Sequence, residues 1–199
     1  EVDILVHKSG ATKQLVIQDN VGGDDKSIEQ SRKMLESLIP GSVNIEGADS
    51  EDFKEESFAD STKSGTFLST KGRNFVKSLH DVMDLECTIP KCNIARGKFN
   101  YGVILRKYSH ATKSGMEQRD YAILYGASGA TTLQYKENQF VFPKESIDCL
   151  SDDTKTRKLL LKNLNPRNGD LIIIASADDP FVAEIAAKNS ALWTLATIA

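Results

Sequence analysis

Apolar positions along this chain follow two periods, and the switches between them mark out its elements. "VDILVH" (Val2–His7) alternates in the manner of a strand, "KSGAT" turns the chain back, and "KQLVIQ" alternates again, so the first nineteen residues predict a β-hairpin. In "KSIEQSRKMLESLI" the apolar positions Ile28, Met34, Leu35 and Leu38 fall near helical spacing, and Pro40-Gly41 ends that helix. A second helical stripe, Phe75, Leu79, Val82 and Met83, runs through "TKGRNFVKSLHDVMDL". Strand patterns then predominate. "FNYGVILRKY" (Phe99–Tyr108) and "RDYAILYG" (Arg119–Gly126) each read as a strand, and "TTLQYKENQFVF" reads as a hairpin bending at Lys136–Asn138. "TRKLLLKNL" is a further apolar segment, and "NPRNGD" is a strong turn. "LIIIAS" (Leu171–Ser176) opens on four consecutive apolar residues, the signature of a central strand covered on both faces. A helix follows in "ADDPFVAEIAAKN", with Asp179 placed to cap it and Pro180 where a missing N–H costs nothing.

Strands grouped together, rather than alternating with helices, predict an α+β fold. The 199 residues suit a single domain, 1–199, large enough to bury a core without a disulfide or metal staple. One stretch departs from this. Residues 42–66 are acidic, Ser-rich and poor in aliphatics, which predicts a mobile insertion, either a plain solvated loop or a regulatory phosphorylated segment.

Composition narrows the function classes. The net charge is −3 with Lys and Arg scattered, which argues against a nucleic-acid surface. No apolar run reaches the ~20 residues that span a bilayer, and no signal peptide is visible, although a chain opening at Glu1 is compatible with processing. Three cysteines (Cys87, Cys92, Cys149) and the lack of an N-x-Ser/Thr sequon point to an intracellular, reducing compartment. Cys87 and Cys92 with His80 and His110 lack the usual zinc-ligand spacing and read as plain thiols. "NVGGDDKS" ends in Lys-Ser before a helix but lacks the spacing of a phosphate-wrapping loop. "GASGATT" (Gly126–Thr132) presents Ser128, but its G-A-S-G-A order is not a nucleophile elbow, and it reads as a small-residue turn. The carboxylates offer more. Asp3 opens the first hairpin strand and Asp19 closes the second, so the two ends are neighbours, while Asp178 and Asp179 follow "LIIIAS". Acids at strand ends suit a hard cation such as Mg²⁺ or Mn²⁺, and equally suit turns and helix caps.

Several of these segments, in order, resemble the type 2C, metal-dependent protein serine/threonine phosphatase family. "LVIQDNVGG" is similar to its strand followed by D-G-x-G-G, and "EVD", ending in Asp3, to its upstream acidic pair. "KFNYGVIL" falls where the family has its G-[ST]-T-A strand. "YAILYGASGATTLQYKENQF" resembles its strand–G-D-S-R–strand hairpin, and "LNPRNGDLIIIASADD" the stretch ending A-[ST]-D-G before a helix. The resemblance implies two packed, mostly antiparallel β-sheets flanked by helices, a phosphatase-like sandwich. It also implies a metal site at Asp3, Asp19 and Asp178 holding Mg²⁺ or Mn²⁺. The departures fall on that site. Asn20 replaces a glycine, Ala127 and Gly129 stand in the G-D-S-R positions, and Ala177 stands at the last acid unless a one-residue shift brings in Asp178. The closing acid-Asn motif is not found. Each missing ligand removes charge and geometry from a two-metal centre. The resemblance therefore implies a catalytically degraded phosphatase-like domain, a pseudophosphatase that binds a protein partner, with metal held weakly or not at all. An active Mg²⁺/Mn²⁺-dependent phosphatase is one alternative, and an unrelated structural or interaction domain is another.

Overall fold

The computed structural model describes residues 2–9, 12–19, 58–62 and 65–197. They divide into two units, Glu1–His80 with Ala199, and Asp81–Ile198.

In the first unit β1 (Val2–Ser9) and β2 (Thr12–Asp19) form the expected antiparallel hairpin, in register from Val2↔Asp19 to Ser9↔Thr12. A second hairpin pairs β3 (Ala59–Thr62) with β4 (Gly65–Leu68). These strands take in the end of the acidic stretch, most of which lies outside the described residues, as does the helix expected around Ile28–Leu38. The helical stripe at Phe75 and Leu79 becomes α1 (Thr70–Val82). Ser69 starts this helix by accepting the Gly72 N–H through its hydroxyl at 3.1 Å. Position 72 admits only glycine, because a Cβ there would stand 2.0 Å from the Phe58 carbonyl oxygen.

The second unit is built on one five-stranded sheet. Its strands are β5 (Glu86–Thr88), β6 (Phe99–Leu105), β7 (Gly129–Lys136), β8 (Gln139–Val141) and β9 (Leu171–Ala177). They lie in the order β5-β6-β9-β7-β8, and every neighbouring pair is antiparallel. The run "LIIIA" is thus the central strand, buried at each position from Leu171 to Ala175, as a doubly covered strand requires. One face carries the main core. Ile104, Leu133, Ile172 and Ile174 pack there with Phe140, Leu150 and with Leu160 and Leu164 of α3 (Thr154–Leu164, the third helix in chain order). Each such side chain contributes roughly 1.5–3 kcal/mol by leaving water. The other face receives the last helix, α4 (Pro180–Ala196), whose buried Ala183, Ala186, Ala187 and Ala191 let it lie close to β6 and β9. The expected start of α4 is present: Asp179 Oδ1 accepts the N–H groups of Phe181 and Val182 at 2.9 and 3.1 Å, with Pro180 in the first turn. The β7–β8 hairpin turns through Glu137 and Asn138, both at positive φ (48° and 62°), between the paired Lys136 and Gln139. That is the two-residue turn whose twist matches its strands.

Two expectations are corrected here. The sandwich of two packed sheets is absent from the second unit, because helices already occupy both faces of its single antiparallel sheet. The α+β class holds. The segment Arg119–Gly126, read as a strand, belongs instead to α2 (Met116–Leu124). Its apolar run misleads because Ile123 and Leu124 face solvent. What α2 buries is Gln118 and Ala122, one helical turn apart. Gln118 donates to the Thr194 hydroxyl (3.2 Å) and accepts from that of Thr112 (2.8 Å). A buried glutamine stripe gives no apolar periodicity to read.

At the end of the sheet where β6 gives way to Arg106 and Lys107, and where β9 starts, charge is neutralised. Arg106 grips Asp84 with Nε and Nη2 (2.7 and 3.0 Å) and Asp170 with Nη1 (2.8 Å), and also donates to the Leu164 and Asn165 carbonyls. Burial works against the Arg106 charge, but the two carboxylates outweigh it and hold the guanidinium above its ordinary range.

Candidate functional site

At the opposite end of the sheet, charge is gathered without being neutralised. β9 ends there, β6 and β7 begin there, and the segment 91–98 folds over the strand ends. Between them lies a groove of about 810 Å³, within the ~300–1,000 Å³ usual for small-molecule sites. Lys91, Arg96 and Lys98 reach it from the 91–98 segment and Arg119 from α2, four cations facing one carboxylate, Asp178. Ile94 and Phe142 form an apolar wall, and Ser128, Gly129 and Ala130 a small-residue floor. A Cβ built on Gly129 meets nothing within 4 Å, so the groove is open above it.

The 91–98 segment has a built seat. Cys92 and Ala95 exchange backbone hydrogen bonds (2.8 and 3.3 Å), closing a tight turn. Ile94 and Ala95 are buried beneath it, and the Thr131 hydroxyl on β7 donates to the Ile94 carbonyl at 2.6 Å. Asn100, 3% exposed, completes the anchorage. Its Oδ1 accepts the Gly97 N–H (3.0 Å) and the Ser176 hydroxyl (2.6 Å), and its Nδ2 donates to the Ile89 (3.3 Å) and Gly97 (3.1 Å) carbonyls. All four hydrogen-bonding positions of this amide are used. The segment lies so close to β9 that a Cβ at Gly97 would stand 2.7 Å from that of Ser176. On the other side of Ser176, its carbonyl accepts both the N–H and the hydroxyl of Ser128, each at 2.8 Å. The loop backbone is therefore fixed to β6, β7 and β9, while Lys91, Arg96 and Lys98 are exposed, Arg96 Nε donating to the Asn93 carbonyl at 3.4 Å and Lys98 Nζ lying 5.3 Å from the Phe99 ring centroid.

Elsewhere in this unit embedded cations are spent on carboxylates. Arg106 is paired with Asp84 and Asp170, Arg157 with Asp148, and Lys188, 1% exposed, with Glu184 and, at 3.4 Å, Glu86. Beside Lys188, burial and then Glu86 push the Tyr101 phenol up from its ordinary range. Among the described residues none of the four groove cations is in an ion pair. The groove holds no histidine or cysteine. Burial raises the Cys87 and Cys149 thiols to about 11, so both are held as protonated, unreactive thiols.

The sequence-expected site residues are distributed differently. Asp178 is exposed at the groove. Asp3 and Asp19 occupy adjacent register positions at one end of the β1–β2 hairpin in the first unit, Asp3 opposite Gln18 and Asp19 opposite Val2. Among the described residues no group of three or more His, Cys, Asp or Glu side chains is placed to hold a metal ion. The residual metal-binding character expected from the resemblance is corrected on that observation. Ser128 is a floor residue at the junction between α2 and β7. Sequence reading missed Lys91, Arg96, Lys98 and Arg119, which are spread over 29 positions of the chain. The scatter of Lys and Arg along the sequence, read there as arguing against a nucleic-acid surface, does not reveal that the fold collects four of them. Among the described residues no helix is long and apolar enough to cross a membrane.

Comparison with known proteins places the second unit in a family and gives its fold a likeness. A family profile described as "Domain of unknown function (DUF4443)" matches residues 96–195, half of the chain and most of the second unit. A solved structure, that of hypothetical protein PH0730 from Pyrococcus horikoshii OT3, aligns with a TM-score of 0.51 at 20% identity, covering 84% of this chain and 74% of that one. At that identity the likeness concerns the fold alone. No curated protein matches. Neither match is to a type 2C phosphatase, and the resemblance to that family is corrected, together with the phosphatase-like and pseudophosphatase readings that depended on it. The reason is local. "YAILYG" would have to be the first strand of the strand–G-D-S-R–strand hairpin, but Tyr121–Leu124 is helical, and Ala127 and Gly129 sit at a helix-to-strand junction. The quoted segments share short turn and cap chemistry with that family, not its sheets.

Proposed function

The chain belongs to the family described as a domain of unknown function, DUF4443, and from the basic groove of its second unit we propose that it is a binding module for an anionic ligand. The observation that carries this reading is the gathering of Lys91, Arg96, Lys98 and Arg119 around one cavity against the single carboxylate Asp178. Cations in a concave site concentrate field and attract anions, and the planar guanidinium forks of Arg96 and Arg119 suit carboxylate and phosphate oxygens alike. The seat under the 91–98 segment supports the same reading, since a fixed backbone lowers the entropy lost when the side chains close on a ligand. The interaction-domain alternative drawn from the sequence is the one this extends. A protein partner, expected from the sequence, would enter such a groove through an acidic segment.

The test is titration calorimetry with inorganic pyrophosphate at low salt. Arg96→Ala and Arg119→Ala are each expected to weaken binding roughly tenfold, the scale of one lost charge-assisted hydrogen bond. Lys158→Ala, on the exposed side of α3, is the control and leaves binding unchanged. Pyrophosphate affinity indifferent to both arginine substitutions would sink the proposal.

A further inference from the structure

Three kinds of chemistry share the groove, and together they say more than its net charge. The cations Arg96 and Arg119 suit phosphate oxygens. Phe142 is partly buried against the core and lines the groove beside Ile94, giving it an aromatic side chain on an apolar wall. Asp178 is a carboxylate in a site that otherwise attracts anions. A bare polyanion gains nothing from Phe142 and is repelled by Asp178. A ligand that stacks a planar body on Phe142 and donates from a hydroxyl or amino group to Asp178 uses all three. Small side chains at Gly129 and Ala130 leave room for a flat ring to approach. A ring of this kind is held by stacking and by a few placed polar groups, as most small-molecule sites are.

We propose that the groove takes a mononucleotide-class phosphate ester, with phosphate on Arg96 and Arg119, the ring against Phe142, and a ribose hydroxyl or exocyclic amine donating to Asp178. This rests on the anion-binding reading above and adds the identity of the body that carries the charge.

The experiment is calorimetry on the full chain with ADP, GDP and UDP beside inorganic pyrophosphate, repeated for Phe142→Ala and Asp178→Asn. The expected result is that at least one nucleoside diphosphate binds roughly tenfold or more tighter than pyrophosphate, the scale of one stacked base. Both substitutions then remove most of that advantage. Pyrophosphate itself keeps its affinity in Phe142→Ala and keeps or gains affinity in Asp178→Asn, where a repelling charge has gone. Asp178 is exposed, so this second variant tests the proposal even if Phe142→Ala unfolds. Equal binding of pyrophosphate and all three nucleotides, unmoved by either substitution, would overturn the nucleotide assignment and leave the anion site standing. Absence of all binding to the parent chain, pyrophosphate included, would overturn both. Oligothymidylates that bind more tightly with each added nucleotide, beyond any mononucleotide, would overturn the small-molecule assignment in favour of a nucleic-acid strand.

Discussion

Asn100 carries the connection between core and groove in a single buried amide. Its four hydrogen bonds join the Ile89 and Gly97 backbone to Ser176 at the end of β9. Removing the amide takes a donor from the buried Ile89 carbonyl and a partner from the half-buried Gly97 N–H and Ser176 hydroxyl, and a group left without its partner costs on the order of 1–3 kcal/mol when water cannot reach it. Asn100→Ala is therefore expected to lower stability by about 2–4 kcal/mol in urea denaturation. It should also weaken pyrophosphate binding at temperatures where the variant is still folded, because the segment carrying Lys91, Arg96 and Lys98 loses its seat. Asn100→Asp keeps the acceptor but sets a carboxylate oxygen against the Ile89 and Gly97 carbonyls at a buried position, and should be at least as destabilising at pH 7 as the alanine variant. Parental pyrophosphate affinity in folded Asn100→Ala would show that the loop does not depend on this seat. Nothing in the sequence singles Asn100 out. "GKFNYG" reads as an ordinary strand entry, and the role of the asparagine appears only when residues 76 positions apart meet. Gly97 is similar, since its need for a missing Cβ comes from Ser176 and not from its neighbours in the chain.

Legibility at the scale of elements followed local chemistry. The β9–α4 passage was readable because its signals are consecutive: a four-residue apolar run, a capping aspartate and a proline. The β7–β8 bend was readable for the same reason. The segment that becomes α2 was not, because its buried side is Gln118 and Ala122 while its aliphatics face outward, inverting the usual pattern. The start of α3 offers a measurable consequence. Asp153 caps it, accepting the Thr156 N–H at 3.0 Å and the Thr156 hydroxyl at 2.7 Å. That hydroxyl, and then the backbone N–H, hold the Asp153 carboxyl below its usual range. A carboxyl whose folded pKa is depressed stabilises the fold above its unfolded value of about 3.9, and that contribution disappears as pH falls through the lower folded value. Asp153→Ala is thus expected to cost about 0.5–2 kcal/mol at pH 7. The gap from the parent in urea midpoint should narrow steadily as the pH is taken below about 4. A gap that stays constant from pH 7 to pH 3 would mean that the carboxylate charge plays no part in this cap.

Across the whole second unit, topology decides both what is stable and what is exposed. Inserting β9 between β6 and β7 makes the last of the sheet's strands in sequence the first in burial, so the sheet cannot be completed until Leu171–Ala177 is in place. It also brings three strand ends to one place, and the groove cations with them. This arrangement was not visible in a composition of scattered Lys and Arg, because scatter along a chain says nothing about which strand ends meet. The same insertion predicts how the unit opens. The amides of Ile172, Ile173 and Ile174 are bonded within a strand flanked on both sides and covered on both faces, so they exchange with solvent only when the whole unit unfolds. The edge strands β5 and β8 have three residues each and one paired side in the sheet, so their outward amides exchange through local fraying. Native-state hydrogen exchange should therefore give β9 amides opening free energies equal to the global value from denaturation, with β5 and β8 well below it. Protection of Ile173 no greater than that of Cys87 on β5 would mean that β9 opens locally. In that case the strand end that anchors Asn100 and borders the groove would be a mobile edge and not the fixed wall described above.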